Sequence, residues 1–145
     1  MTPEANAANA LRIIKEAWNQ GNVDVLDELC APDCVVHDLS THGEFYGLEA
    51  NKQRLRGYRV AMPDLHCRVE DLIASGDKVV MRWCTTGTHE GELRGNPPTY
   101  RRAEITGMSI DRFDAEGRLA ETWYQWDVLS LQQQLGITPE MQAQA

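Results

Sequence analysis

Apolar side chains in the first twenty residues recur every three to four positions, which is the spacing of an amphipathic helix. The stripe consists of Ala7, Leu11, Ile14 and Trp18. Gly21 follows directly, so we predict a first helix over residues 3–20. A short second helix should come next, because Asn22 is a suitable N-cap and Leu26 and Leu29 supply an inner side.

Helix spacing returns between residues 48 and 62, after a short predicted strand over residues 34–37 and a loop. Pro63 ends this third helix. Its inner stripe consists of Leu48, Asn51, Leu55, Tyr58 and Met62. Asn51 is the polar member of that stripe, so either it faces a polar cavity or it lies at the edge of the stripe in solvent.

From residue 65 onward the apolar period changes from helical spacing to two, which is typical of strands. The predicted strands cover residues 65–74, 78–89, 100–113 and 118–127. A short helix over 129–135 follows, and the tail over 138–145 is expected to be mobile. Helices followed by an antiparallel meander predict an α+β fold, with the 145 residues forming one domain and the helices covering one face of a curved sheet.

The last predicted strand has a carboxylate at the end of an aromatic face. Because side chains alternate across a strand, Trp123, Gln125 and Asp127 share one face with Glu121. Burial in apolar surroundings would raise the pKa of Asp127 and fit it for proton transfer near neutral pH. The alternative is that Asp127 caps the helix that follows, which is a common role for aspartate.

Composition narrows the range of partners. The net charge of −8 argues against binding to nucleic acid or to an anionic membrane surface. The chain has no apolar run long enough to cross a bilayer and no secretory signal at its start, so a cytoplasmic location with reduced cysteines is expected. Cys30, Cys34 and His37 are close in sequence, but their spacing matches no standard zinc site. We therefore predict no metal and interpret the cysteines as packed thiols.

Short segments in a fixed order carry a resemblance to a known family. They are Trp18–Asn22, Ala31–Asp33 with Val36–His37, Met62–Leu65, Gly76–Val79, Gly87–Gly91, Pro97–Thr99, and Trp123–Asp127 with Gln134–Gly136. Each segment is weak alone, but together they extend from about residue 11 to residue 137. On these segments the chain resembles the SnoaL-like polyketide cyclases, also called ester cyclases, of the nuclear-transport-factor-like superfamily.

This resemblance implies a cone-shaped α+β barrel in which the N-terminal helices pack on a strongly curved antiparallel or mixed sheet. It implies intramolecular aldol-type acid/base chemistry, which closes a ring in a hydrophobic polyketide-like ester without a metal or organic cofactor. An aspartate at the end of the last strand is the proposed acid/base in this family, and Asp127 is the matching position. The resemblance thus favours a catalytic role for Asp127 over the helix cap.

Further candidates follow from the predicted strand faces. His37 and His89 are candidate proton partners or oxyanion donors, with a structural histidine as the alternative for each. Aromatic and methionine side chains around one carboxylate would suit a planar guest, with plain core packing as the alternative. The predicted substrate-binding residues are Trp18, Tyr46, Asn51, Met62, Trp83, Met108, Trp123 and Gln125.

Three functions are open on the sequence alone. The first is a cofactor-free cyclase, and the second uses the same pocket for isomerisation, hydration or hydrolysis of a small hydrophobic molecule. The third is a non-catalytic, small-ligand-binding dimer. Thr122, Tyr124 and Trp126 are expected on the outer face of the last strand, where an aromatic patch would favour a homodimer through the outer sheet face.

Overall fold

The computed structural model describes residues 1–137, and the tail predicted for residues 138–145 lies outside the described residues. Helix α1 (Pro3–Arg12) begins at Thr2, whose Oγ1 accepts a hydrogen bond from the Ala5 backbone N at 3.0 Å. It continues as a π-helical segment, Ile13–Asn19, which ends before Gly21 at φ +75°. None of the helices in residues 1–137 is long and apolar enough to span a bilayer.

Three further helices complete the helical part of residues 1–137. A 3-10 turn (Val23–Val25) leads into the short α2 (Leu26–Leu29), and no side chain caps either element, so the cap predicted at Asn22 is wrong. Helix α3 (Leu48–Ala61) and helix α4 (Val128–Leu135) lie close to their predicted positions. Gly136 ends α4 in the left-handed conformation at φ +74°, which glycine adopts without steric cost.

The strands of residues 1–137 form one mixed, six-stranded sheet in the order β2-β1-β6-β5-β4-β3. Their bounds are β1 Cys30–Asp38, β2 Gly43–Tyr46, β3 His66–Ser75, β4 Lys78–Thr88, β5 Arg102–Phe113 and β6 Leu119–Trp126. Strands β3 to β6 form the predicted antiparallel meander, while β1 pairs in parallel with β6 and antiparallel with β2. The α+β prediction is confirmed, and the sheet is curled without closing into a barrel.

The sheet edge around β1 differs from the prediction. β1 runs over Cys30–Asp38, longer than the four residues expected, and β2 (Gly43–Tyr46) occupies a segment expected to be loop. Pairing between the two strands explains both differences, because Val35 lies opposite Tyr46 and Asp38 lies opposite Gly43. None of the four residues of β2 is buried, so this strand has no apolar pattern that would reveal it in the sequence.

The two faces of β6 are the reverse of those expected. Thr122, Tyr124 and Trp126 are buried on the inner face, towards the helices. Trp123 and Gln125 lie on the outer face, where they stand opposite the exposed Ile110 and Met108 of β5, respectively. The prediction that Thr122, Tyr124 and Trp126 form an outward patch is therefore wrong, because their burial within the chain leaves them unavailable to a partner.

The Trp83 indole packs against the backbone of Gly107. A Cβ atom added at position 107 would lie 2.4 Å from Cη2 of Trp83 and 2.9 Å from the carbonyl oxygen of Gln125. Both distances are shorter than van der Waals contact, so no larger residue fits without displacing the ring. The absence of a side chain at position 107 therefore fixes where the ring of Trp83 can lie. All four cysteines are buried free thiols, as the packing interpretation predicts.

Candidate functional site

A cavity of about 140 Å³ lies between the helices and the inner face of the sheet. Its wall is mainly apolar, and five aromatic side chains contribute to it. They are Trp18, Tyr58, Trp83, Tyr124 and Trp126. Polar side chains interrupt this wall at a few places, namely Asn51, Arg54, Thr85, Ser109, Asp111 and Thr122. An apolar enclosure with a few convergent polar groups is the usual form of a small-molecule site.

Asp111 is the carboxylate in the wall of this cavity. It lies on the inner face of β5, the same face as Ile105 and Phe113, and only 6% of its surface is exposed. Thr122 Oγ1 donates a hydrogen bond to Asp111 Oδ1 at 2.8 Å, and no other donor within residues 1–137 reaches the carboxylate. Desolvation by burial raises the pKa of Asp111 to about 6, against smaller lowering effects of the Thr122 hydrogen bond and the charge of Arg54. A carboxyl group in this state can take and return a proton near neutral pH.

Arg54 brings a positive charge to the same cavity. It extends from α3, and its guanidinium donates to Oδ1 of Asn51 from Nε at 3.3 Å and from Nη2 at 2.9 Å. Nη1 donates to the hydroxyl of Tyr124 at 3.2 Å. The guanidinium carbon also lies over the rings of Trp18, Tyr124 and Phe45, at 5.1, 5.2 and 5.7 Å from their centroids. These contacts fix the orientation of the charged group.

Asp38 is a second buried carboxylate, but its environment differs. It lies near the end of β1, 3% of it is exposed, and it accepts hydrogen bonds from Tyr124 Oη and Trp126 Nε1, each at 3.1 Å. The backbone N–H groups of Ser40 and Thr41 donate to the same carboxylate at 3.0 and 3.2 Å. Asp38 is therefore a fully hydrogen-bonded carboxylate that holds two aromatic rings of the cavity wall in place.

Four of the predicted substrate-binding residues line the cavity. They are Trp18, Asn51, Met62 and Trp83. Of the two locations considered for Asn51, the structure has the cavity, where the amide is 4% exposed and accepts from Arg54. The structure has these four side chains in the cavity wall, and their contact with a substrate stays a prediction.

Asp127 lies outside the cavity, although the sequence points to it first. It is exposed at the start of α4, where its Oδ1 accepts a hydrogen bond from the Ser130 backbone N at 3.0 Å. This is the helix cap that the residues alone allowed. The expectation of an apolar environment is wrong, because the face of β6 that ends at Asp127 is the outer one. Its catalytic role stays a prediction without support from its position.

Four other predicted binding residues are also on the outside. Trp123 is half-buried on the outer sheet face, Gln125 and Met108 are exposed beside it, and Tyr46 is exposed on β2, where its hydroxyl donates to Glu44 at 2.7 Å. The reversal of β6 accounts for Trp123 and Gln125. Met108 follows from the pairing of β5 with β6, since it stands opposite Gln125.

The two candidate histidines lie in different parts of the fold. His37 is on the outer sheet face, stacked on Trp123 with 5.5 Å between ring centroids, and its Nε2 and Nδ1 lie 2.6 Å from Glu121 and 3.1 Å from Glu44. The hydrogen bond with His37 lowers the pKa of Glu121. His89 is fully buried, and its Nδ1 accepts from the Thr99 backbone N at 3.2 Å. Neither histidine belongs to the cavity wall, so the catalytic role of each stays a prediction without support from its position.

Sequence reasoning missed Asp111 and Arg54. The alternation of β5 contains the signal for Asp111, because Asp111 has the same parity along the strand as the apolar Ile105 and Phe113. The helical spacing of α3 contains the signal for Arg54, which falls between Asn51 and Leu55 on the inner stripe. Charged side chains are mostly exposed in folded proteins, so an apolar pattern selects neither residue.

Comparison with known proteins places the chain in one family. The family model of the SnoaL-like polyketide cyclases matches residues 8–135. Among solved structures, IdmH of Streptomyces antibioticus, proposed to be a polyketide cyclase, is 30% identical with a TM-score of 0.77, over 94% of this chain and 100% of its own. AclR of Streptomyces galilaeus, proposed to be a hydroxylase, is 28% identical with a TM-score of 0.81, over 95% and 89% of the two chains.

A third structure is similar in fold. It comes from Jannaschia sp. CCS1, carries a proposed assignment as a SnoaL-like polyketide cyclase, and reaches a TM-score of 0.85 at 23% identity over 94% of each chain. Among curated proteins no match was found.

Proposed function

Because the chain belongs to the SnoaL-like polyketide cyclase family, we propose that it is a cyclase that acts on a hydrophobic, polyketide-like carbonyl compound by acid/base chemistry, without a metal or organic cofactor. Asp111 is the acid/base of this proposal. The observation that carries it is a buried carboxylate in the wall of an apolar cavity, with a single hydrogen bond and a pKa raised to about 6.

The proposed reaction is an intramolecular aldol addition. The Asp111 carboxylate takes a proton from a carbon flanked by two carbonyl groups, and the electron pair of the broken C–H bond moves into an enolate. The enolate carbon then forms a C–C bond with a second carbonyl carbon of the same molecule, whose oxygen becomes an alkoxide. The proton on Asp111 returns to that alkoxide, so the base is regenerated and the product is an isomer of the substrate.

The cavity supports this chemistry in two ways. Its aromatic wall suits a planar guest, and its mainly apolar lining strengthens the electrostatic interactions of the few polar groups where charge develops. A general base contributes roughly a hundred- to ten-thousand-fold to the rate, so positioning in the cavity has to supply the rest. The two titratable groups with opposite charge in the wall, Asp111 and Arg54, are suited to proton transfer and to holding an anionic oxygen.

The test compares the aspartate of the cavity with the aspartate of the cap. We would measure enzyme-catalysed deuterium exchange at the acidic carbon of ethyl 2-methyl-3-oxo-3-phenylpropanoate by NMR, for wild type, Asp111→Asn and Asp127→Asn. Asp111→Asn should lower the catalysed rate by about 100- to 10,000-fold. Asp127→Asn should leave the rate at the wild-type value. The opposite pattern would reject Asp111 and restore Asp127 as the acid/base.

Other uses of the cavity are separated by the product. Ring closure and isomerisation leave the mass of a substrate unchanged, hydration adds one water, and ester hydrolysis releases an alcohol. Mass spectrometry of reactions with aromatic polyketide esters therefore separates hydration and hydrolysis from the other two reactions, and NMR of the product distinguishes a new ring from an isomerised chain. Failure of every carbonyl substrate to react, together with tight binding, would favour the non-catalytic ligand-binding alternative.

We also propose that two copies pair through the outer sheet face, on residues other than those the sequence indicated. Ile73, Val80, Ile110 and Trp123 stand directly opposite one another across β3, β4, β5 and β6, and form an apolar row on that face. Ile73 and Ile110 are exposed in the single chain. Apolar rows of this kind are typical of interfaces.

Light scattering at micromolar concentration tests this pairing. The wild type should have the mass of a dimer, and Ile110→Lys should have the mass of a monomer. Val60→Lys is the matched control, since Val60 is an exposed apolar residue on α3, away from the sheet. A monomeric wild type would contradict the proposal.

A further inference from the structure

The cavity wall contains a cation that forms no direct ion pair with a carboxylate of residues 1–137. Arg54 is the one Lys or Arg side chain of residues 1–137 that lines the cavity. Other arginines, such as Arg56 on the same helix, form ion pairs with carboxylates, whereas no carboxylate oxygen of residues 1–137 lies within 4.0 Å of the Arg54 guanidinium. A charge that is partly removed from water in this way has a strong tendency to bind an anion.

Counting donors shows what Arg54 still offers. A guanidinium has five N–H groups. Asn51 accepts from Nε and Nη2, and Tyr124 accepts from Nη1, so three of the five are engaged within residues 1–137. One N–H on each terminal nitrogen is left without a protein acceptor in this part of the chain. Two such donors can bind two oxygens of one planar group.

The surroundings of Arg54 orient the charge without cancelling it. The rings of Trp18, Tyr124 and Phe45 attract the cation through their faces and exclude water, but they contribute no formal charge. The nearest anion in the hydrogen-bond network is Asp38, which is reached only through the Tyr124 hydroxyl. Asp38 already accepts from four donor groups and does not bind Arg54 directly. It holds the Tyr124 hydroxyl that accepts from Arg54.

We propose that Arg54 is the anion-binding residue of the cavity, and that the substrates are hydrophobic, planar carbonyl compounds that present a pair of anionic oxygens to its two remaining donors. A carboxylate has such a pair, and so does the enolate of a 1,3-dicarbonyl compound. The inference rests on the proposed function, because it assigns the substrate to the cavity that contains Asp111. In the aldol reaction, Arg54 would hold the oxygens over which the negative charge of the enolate is spread.

The first experiment compares two probes of the same shape and different charge. Binding of 2-naphthoate and of 2-naphthamide to the full chain would be measured by calorimetry at pH 7.5. Wild type should bind the carboxylate about 10- to 100-fold more tightly than the amide, which is the usual effect of charge-assisted hydrogen bonds. Arg54→Gln should remove this preference, and Arg54→Lys should keep only part of it, because lysine has the charge without the planar fork.

Arg56→Gln is the matched control, since Arg56 is an arginine of the same helix that pairs with Glu49 on the surface. It should retain the wild-type preference for naphthoate. Circular dichroism and thermal unfolding show whether each variant is folded. If Arg54→Gln does not fold, the comparison of Arg54→Lys with Arg56→Lys decides. The proposal would be overturned if wild type bound the two probes equally. It would also be overturned if Arg54→Gln kept the wild-type preference for naphthoate.

A second probe separates the two sources of the anion. The enol and the enolate of 1-(2-naphthyl)butane-1,3-dione differ in ultraviolet absorption, so the pH at which the bound diketone ionises can be followed directly. Ionisation at a lower pH in wild type than in Arg54→Gln means that Arg54 stabilises an enolate. A preference for naphthoate with no change in the diketone means that Arg54 binds a carboxylate of the substrate. No effect on either probe contradicts the assignment.

Asp111→Asn separates this inference from the proposed function. The variant keeps Arg54 and removes a negative charge from the same cavity, so it should bind naphthoate at least as tightly as wild type does. Loss of deuterium exchange in Asp111→Asn, with the naphthoate preference retained, supports both assignments. Unchanged exchange in Asp111→Asn would reject the acid/base role alone, while the binding preference would still test Arg54.

Discussion

Asp38 and Asp111 are both buried carboxylates on the inner face of the same sheet, but they are held in opposite ways. Asp38 is 3% exposed and accepts from four donor groups, two of them aromatic side chains and two of them backbone amides. Asp111 is 6% exposed and accepts from the Thr122 hydroxyl alone. Burial is thus nearly equal, and the number of donors differs by a factor of four.

This difference teaches how a structural carboxylate can be distinguished from a reactive one. Four donor groups satisfy the oxygens of Asp38 and make this carboxylate part of the packing. A single donor leaves desolvation dominant, so the pKa of Asp111 rises towards neutrality and the group becomes available for proton transfer. Low exposure alone does not identify a functional acid.

Replacing Asp38 should produce the largest loss of stability. Asp38→Ala leaves the Tyr124 hydroxyl, the Trp126 indole N–H and two backbone amides without their acceptor, so the free energy of unfolding should fall by about 3–5 kcal/mol. Urea unfolding monitored by circular dichroism measures it. Asp38→Asn retains one acceptor oxygen and should lose less. A loss below about 1 kcal/mol would mean that Asp38 is not a structural anion.

Replacing Asp111 should instead raise the free energy of unfolding at neutral pH. Its pKa is raised from 3.8 in the unfolded chain to about 6 in the fold, so the folded state is favoured below pH 3.8 and loses stability as the pH rises to about 6. Asp111→Asn carries no such charge and should be more stable than wild type at pH 7.5 by about 3 kcal/mol.

That gain should disappear as the pH falls towards 4, where Asp111 of the wild type is protonated. Urea unfolding at pH 4.0, 5.5 and 7.5 measures the trend. Equal stability of the two proteins at all three values would break the distinction between the two carboxylates.

Removing the single donor of Asp111 should sharpen the distinction. Thr122→Val deletes the hydrogen bond that lowers the pKa of Asp111, so the midpoint of the pH–rate profile should move upward by about 1 pH unit. Thr122→Ser keeps the hydroxyl and should retain the wild-type midpoint. The measurement is deuterium exchange between pH 5 and pH 9. A profile that does not respond to Thr122→Val would mean that another group is titrating.

The smallest effect is expected at Asp127. Asp127→Ala removes the side-chain cap of α4 and should reduce the free energy of unfolding by about 1 kcal/mol, while exchange activity stays at the wild-type level. Asp127→Ser, which preserves a capping oxygen, should restore most of the stability. Loss of activity in both variants, without loss of folding, would instead favour catalysis at this position.

Secondary structure was largely predictable because it depends on local periodicity. The helix over residues 48–62 and the strands of the meander agree with α3 and β3 to β6 to within a few residues. The pairing of β1 with β6 was not predictable, because Val36 and Thr122 are opposite each other across a long stretch of chain. No sequence pattern in β1 or β6 indicates which strand it pairs with.

The predicted orientation of β6 is wrong for a related reason. Alternation divides the strand into two sets correctly, but both sets are aromatic, with Trp123 in one and Tyr124 and Trp126 in the other. Composition cannot choose between two such faces. The choice depends on the neighbouring strand, where Asp111 has the parity of the buried Phe113. An inward-facing carboxylate breaks the rule that apolar residues mark the inside, and the site was missed where that rule failed.

The contact between Gly107 and Trp83 has a consequence for how the size of the cavity can change in evolution. Since the indole lies against bare backbone, a single added methyl group at position 107 would displace a ring that lines the cavity. The capacity of the cavity can therefore be changed at one position on a strand, far in sequence from α3 and its guanidinium. Under the proposals made for Arg54 and Asp111, the size and the charge of the guest would be recognised by separate parts of the chain.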